Sequence, residues 1–204
     1  MRNVLTIAQK ELKSYFNSPI AYIVIGFFAL LYGYFYWAIL AYFVRQSMQM
    51  NQMGMGGPQA INVNQSMIRP LLQNVTVLLL FVLPMITMRT YSEEKRSGTI
   101  ELLLTSPVTD VEIILGKFFG AMGLYASMLG VTLFHIGVLY AFGRPEWKPI
   151  ATAYLGLLLM GGCFVAVGLF VSSLTKNQIV SAFVTFAVFL FFWVINWIGS
   201  FSGP

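Results

Sequence analysis

The chain has 204 residues, of which 58% are hydrophobic and 9% charged, with a mean hydropathy of +0.77. Ordinary globular domains are about a quarter charged, so this composition excludes a soluble domain with a water-facing surface. The net charge is +5, but the basic residues stand in short segments between apolar runs, where lipid headgroups and cytoplasmic proteins are the expected partners and nucleic acid is not.

The first element is amphipathic. At helical spacing Val4, Leu5, Ala8, Leu12, Tyr15 and Phe16 share one face, and Arg2, Thr6, Gln9, Lys10, Lys13 and Ser14 share the other. This predicts an interfacial helix that ends at Asn17, Ser18 and Pro19, because the residue before a proline is biased away from helix. Residues 1–19 therefore form one unit, a surface helix and a turn, ahead of a membrane domain from 20 to 204.

Five apolar runs follow: Ile20–Val44, Leu71–Met88, Phe118–Phe142, Ile150–Leu174 and Ile179–Phe201. Each is near the ~20 residues that carry a helix across the hydrocarbon of a bilayer. The first has too long an apolar core for a cleaved signal peptide. Gln73, Asn74, Thr76 and Pro84 interrupt the second, and bundle neighbours are expected to satisfy its backbone. The fold class is thus an all-α membrane protein: an N-terminal interfacial amphipathic helix plus five transmembrane helices.

Between the first two spans, Gln46–Gln65 is rich in Met, Asn, Gln and Gly and reads as a flexible loop. Its methionines Met48, Met50, Met53 and Met55, with Met67 beyond, are not joined by His or Cys, so no copper site is expected. Between the second and third spans lies Arg89–Lys117, where most of the acidic residues concentrate. Breaks at Gly98 and at Ser106–Pro107 predict two short helical pieces joined by a turn, and Thr109 with Glu112 fits a capping box at the start of the next helix. Nothing in the apolar spans offers Glu94 or Glu101 a buried structural role. Spacing alone leaves open whether this segment docks a partner or only connects.

Lys and Arg set orientation. With the N-terminus inside, Arg2, Lys10, Lys13, Arg89, Lys95, Arg96, Lys117 and Lys176 are cytoplasmic, against Arg45, Arg69, Arg144 and Lys148 outside. Trp37, Trp147, Trp193 and Trp197 then fall near the outer face. An odd number of spans puts the C-terminus outside, and the chain stops at Gly203–Pro204 just after an apolar run, as an incomplete chain would.

Three strings then carry a resemblance: QKELKSYFNSPIAYI at Gln9–Ile23, EEKRSGTIELLLTSPV at Glu93–Val108 with Gly116 and Lys117, and LFVSSLTKNQ at Leu169–Gln178. In this order and spacing the chain resembles the permease subunits of type-2 ABC transporters, in particular the gliding-motility type. The resemblance implies an elbow helix at residues 1–19 and an ATPase-coupling segment within about 89–117, carried by Glu93, Glu94, Gly98, Thr99, Glu101, Leu102 and Pro107. It also implies a second cytoplasmic contact at Ser173, Thr175, Lys176 and Asn177. It implies an exporter in the inner (cytoplasmic) membrane, a second permease chain as homodimer or heterodimer, and a separate ABC ATPase that binds ATP and magnesium. A sixth span, which the resemblance also implies, is not found in these residues.

The chain offers no phosphate loop of its own: Gly116 and Lys117 run into Phe118, and the earlier glycine position is Val111. No cofactor, metal or catalytic residue is expected. Ser172, Ser173 and Thr175 beside Lys176 lack an oxyanion hole, and Cys163 stands alone in an apolar run. His135 has no acidic residue at mid-span to relay to, so a neutral imidazole hydrogen-bonded between helices is expected. Gly116, Gly120, Ala121 and Gly123 read as a close-packing surface. The alternative reading is an ATP-independent channel or secondary transporter, but the mid-membrane carboxylates that usually serve coupled carriers are missing. The charge bias predicts that a reporter fused at Lys95 or Lys176 reads out as cytoplasmic and one between Gln52 and Gly57 as external; the reverse pattern overturns the orientation.

Overall fold

The computed structural model describes residues 2–52, 63–101, 105, 107–142 and 145–201. Among them the chain forms α1 (Arg2–Asn17), α2 (Pro19–Gln52), a π-helical turn (Asn64–Ile68), α3 (Arg69–Ser97), α4 (Asp110–Phe142), α5 (Trp147–Leu174) and α6 (Gln178–Phe201). Each helix from α2 to α6, α3 together with the π-turn before it, contains a stretch long and apolar enough to cross a membrane, and no strand occurs among the described residues.

Several boundaries differ from the sequence reading. The Gln46–Gln65 loop begins later, because α2 runs on to Gln52, and helical structure resumes by Asn64. Residues 53–62 lie outside the described part. The expected pair of short helical pieces after the second span is also different at its start. Arg89–Ser97 continues α3, and only after a turn at Gly98–Thr99 does the chain become helical again, at Ile100–Glu101. Good helix formers run from Glu93 to Arg96, and nothing before Gly98 stops the helix.

The span with most polar interruptions is the most buried: 61% of its most apolar window, against 17% for those of α2 and α6. Two of its polar side chains bond within the helix. Asn74 donates to Pro70 O at 2.9 Å and Thr87 to Leu83 O at 2.9 Å, and the helix passes through Pro84 without a break.

The chain divides into two compact units. One comprises Met1–Tyr22, Leu79–Tyr125 and Leu159–Pro204. In it, α1 lies beside α4 in the same direction. Asn3 bonds Glu112, Ile7 faces Gly116 and Glu11 faces Gly120, each pair 109 residues apart. The glycines allow this approach: a Cβ at Gly116 would stand 2.6 Å from Ile7 Cβ, one at Gly120 2.6 Å from Glu11 Cβ, and one at Gly123 3.0 Å from Leu12 Cδ1. The small-residue surface read from the sequence thus exists, and its occupant is α1. The Tyr15 hydroxyl donates to Ile86 O at 3.3 Å and lies 3.1 Å from Thr90 Oγ1, which ties α1 to α3 as well. Burial pushes the Tyr15 phenol up to about 12, so it keeps its proton at any working pH. Phe81 against Phe186 joins α3 to α6, and Phe164 stacks on Phe189 at 4.3 Å between α5 and α6.

The other unit comprises Ile23–Leu78 and Ala126–Leu158. Thr132 and Tyr154 hydroxyls meet at 2.6 Å between α4 and α5. His135 bonds Val131 O of its own helix at 3.2 Å, so Nδ1 carries the proton. The expected hydrogen bond between helices is not found among the described residues; His135 meets α2 through the rings of Tyr32 and Tyr36, at 5.2 and 5.1 Å.

Two Gly→Ala changes test the seat of α1. Gly116→Ala is expected to destabilise by about 1 to 3 kcal/mol, since the stiff β-branched Ile7 cannot yield freely. Gly130→Ala, with nothing within 4 Å, is expected to be neutral or slightly stabilising through helix propensity. Thermal unfolding of both variants in the same detergent checks the contrast.

Candidate functional site

The charged segment after the second span is built on the end of α3. Gly98 takes a φ of +75°, the left-handed conformation that ends a helix readily only with glycine. Ser97 Oγ caps the freed carbonyls of Glu93 (2.9 Å) and Glu94 (3.3 Å) and lies 2.9 Å from Thr99 Oγ1. Lys95 and Arg96 occupy the last turn, where the helix dipole favours cations. Beyond the turn, Thr105 N–H reaches Glu101 O at 3.0 Å. At Pro107 the chain bends, and α4 opens with the capping box expected from sequence: Thr109 N–H donates to Glu112 Oε2 at 3.1 Å and Glu112 N–H to Thr109 Oγ1 at 3.4 Å.

The centre of this region is Lys117, two turns into α4 and only 1% exposed. Its three ammonium protons go to Glu11 Oε1 (2.9 Å), Glu94 Oε1 (2.8 Å) and Thr90 O (3.0 Å), and the Tyr91 ring centroid lies 5.0 Å away. A buried ammonium costs several kcal/mol to desolvate unless such partners are supplied. Lys117 on α4 therefore holds α1, through Glu11, and α3, through Glu94 and Thr90.

The predicted residues sort into two kinds. Glu93 is half exposed and pairs with Arg89 at 2.8 Å; Thr99, Glu101 and Pro107 are exposed; Leu102 lies outside the described residues. Glu94, expected to have no buried structural role, holds one: it is 19% exposed and bonded to Lys117. The sequence reading missed this because the partner is 23 residues away on another helix. At the second predicted contact, Asn177 caps α6 by accepting from Ile179 N–H at 3.0 Å, and Thr175 Oγ1 accepts from Asn177 N–H at 3.1 Å. Lys176 is exposed. The two predicted segments meet directly, because Lys95 Nζ donates to Ser173 O. Beside that contact, Ser172 Oγ accepts from the backbone N–H groups of Tyr91 (3.1 Å) and Ser92 (3.2 Å) and donates to Met88 O (3.1 Å). A Cβ at Gly168 would lie 2.3 Å from Thr87 Oγ1, so α5 seats its glycine against α3 one turn away.

Next to these residues a groove of about 610 Å³ opens, lined by Tyr91, Ile113, Ile114, Phe118, Leu169 and Phe170, with Asp110 and Ser173 as its polar members. No cluster of three or more His, Cys, Asp or Glu able to hold a metal occurs among the described residues.

The sequence model of the ABC-2 family transporter protein matches residues 5–202, almost the whole chain. The chain belongs to the ABC-2 transporter family. Among curated relatives, the probable multidrug ABC transporter permease YbhR of Escherichia coli K12 is 30% identical over 105 residues, covering 52% of this chain and 28% of that protein. Its counterpart in E. coli O157:H7 matches equally. The chain thus spans well under a third of the length of the curated relatives it matches. It is a multi-pass membrane protein of this family, whose permeases generally work with a separate ABC ATPase.

Sequence signals for the missed cluster did exist. Glu11 stands three residues after Ala8 and four before Tyr15, inside the apolar arc of α1, and Lys117 interrupts the apolar run ILGKFFG. In this ABC-2 permease the two misplaced charges answer each other. Breaking the cluster one member at a time is expected to cost about 3 to 5 kcal/mol, as for other buried ion pairs left with one partner. Glu11→Gln and Lys117→Met should each lower the unfolding midpoint in detergent, and a double-mutant cycle between them should show coupling well above that of the exposed pair Arg89–Glu93.

Proposed function

We propose that the chain is the membrane-spanning permease subunit of an ATP-driven exporter, in which a separate ATPase docks on the segment after α3 and its hydrolysis moves the helices. The observation that carries this reading is the Lys117 cluster, which joins the helix bearing that segment to α1 and α4. A force applied at the turn after Ser97 is delivered to three helices together, which is what a rigid-body transition requires. Exposed Glu93, Glu101 and Pro107 are the groups available to a partner, and Lys176 stands on the neighbouring segment that Lys95 ties in through Ser173. The apolar groove beside Tyr91 and Phe170 offers the partner a place to bury a side chain.

The remaining features follow from the family and the charge bias. The N-terminus is cytoplasmic, the membrane is the inner membrane, a second permease chain completes the pathway, and lipids surround both. ATP and magnesium are handled by the ATPase. The YbhR relatives are named as probable multidrug ABC transporter permeases, which names no substrate for this chain.

The test is co-purification with the ATPase and stimulated ATP hydrolysis, using the full-length protein. Glu101→Gln and Pro107→Ala are expected to keep membrane insertion and the unfolding midpoint while lowering ATPase association or ATP-driven transport. Because exposed ion pairs contribute only about 0 to 1 kcal/mol, a loss of tenfold or more for Glu101→Gln would place that carboxylate in a desolvated contact. If both variants keep full partner binding and transport, the segment is a solvated connector and the coupling assignment fails.

A further inference from the structure

The face of α1 seated on α4 is occupied, and among the described residues no hydrogen bond or ion pair ties the opposite face to another helix. There, Lys10, Lys13, Ser14, Asn17 and Ser18 join Arg89 of α3 in lining a cleft of about 640 Å³. Arg89 commits its Nε and Nη2 groups to Glu93, at 2.8 and 3.3 Å. Lys10 and Lys13 make no ion pair or hydrogen bond among the described residues, and no carboxylate lines the cleft. Two free ammonium groups, three residues apart on one helix face, thus look into a concavity rich in hydroxyl and amide groups.

Beyond Ser18 the chain changes character at once. Ile20 and Tyr22, in the first turn of α2, are 41% and 61% exposed. The cleft is therefore cationic and hydrogen-bonding, and just past its Ser18 wall the chain exposes apolar side chains at the start of a membrane span. A soluble anion would use only the first of these. We propose that the cleft binds an anionic phospholipid of the leaflet on the α1 side, its headgroup phosphate between Lys10 and Lys13 and its acyl chains along Ile20 and Tyr22. Ser14, Asn17 and Ser18 supply hydrogen bonds to the headgroup. Bound there, the lipid holds α1, and through Glu11 the Lys117 cluster, at a set depth.

The test uses the full purified chain, delipidated in detergent, with lipid binding counted by native mass spectrometry. The probes are phosphatidylglycerol and phosphatidylcholine. Wild type is expected to prefer phosphatidylglycerol, and added salt should reduce the preference. With each lysine near an anionic surface contributing about fivefold in affinity, Lys10→Gln/Lys13→Gln should lose roughly 25-fold of that preference. Lys10→Arg/Lys13→Arg should retain it, and neither pair touches the buried face of α1. Inorganic phosphate and glycerol phosphate should not displace the lipid. The proposal is overturned if the Gln pair keeps the wild-type preference, or if phosphatidylcholine binds equally well. Displacement by inorganic phosphate would make the cleft a soluble-anion site, and loss of ATPase association with lipid preference intact would make it a protein-docking face; either also overturns it.

Discussion

A charged ammonium in an apolar helix is the constraint on which this part of the molecule turns. Lys117 follows Gly116 in the run ILGKFFG and is almost fully buried, so the fold must bring it acceptors or lose several kcal/mol. The acceptors come from two other helices, Glu11 from α1 and Glu94 with the Thr90 carbonyl from α3. Close approach is a precondition, and the absent side chains of Gly116 and Gly120 supply it, since Ile7 and Glu11 occupy the space that a Cβ would need. Glycine packing and charge pairing are therefore one arrangement. Without the glycines α1 stands too far off for Glu11 to reach, and without Glu11 the packed face carries an underpaired ammonium.

The same arrangement gives the end of α3 its mechanical character. Exposed Glu93 and buried Glu94 are neighbours in sequence yet serve different ends, because adjacent residues of a helix point about 100° apart. One side of the last turns of α3 faces the solvent or a partner, and the other is held by Lys117, by Ser172 and by the bond from Lys95 to Ser173. Gly98 then releases the chain into the turn that carries Thr99 and Glu101. A projecting segment rooted so firmly suits the coupling role proposed for it, since a hinge at that root would absorb the movement of an ATPase before the membrane helices felt it.

The N-terminal helix shows how one amphipathic pattern serves two purposes. Its apolar arc, with Glu11 set inside it, is committed to α4 and α3. Its polar arc combines with Arg89 into a basic cleft. A helix that only floated in the interface would need neither the glycine seat nor the buried acid. The contacts of α1 thus make it part of the bundle, and its cationic side is what remains free for lipid.

Composition and periodicity determined the fold class, the five spans, the break at Asn17–Pro19, the turn at Gly98, the Thr109–Glu112 cap and the close-packing role of the α4 glycines. All of these follow from local rules: how many apolar residues cross a bilayer, which residues end or begin a helix, and where a missing Cβ helps. The family was legible too, because its motifs are short contiguous strings. Tertiary structure alone decided which helix the glycines receive, that Glu94 pairs inward with Lys117 while Glu93 turns out, and that Lys95 meets Ser173. Those facts depend on partners 23 to 111 residues distant, and one sequence records a charge without recording the helix that answers it.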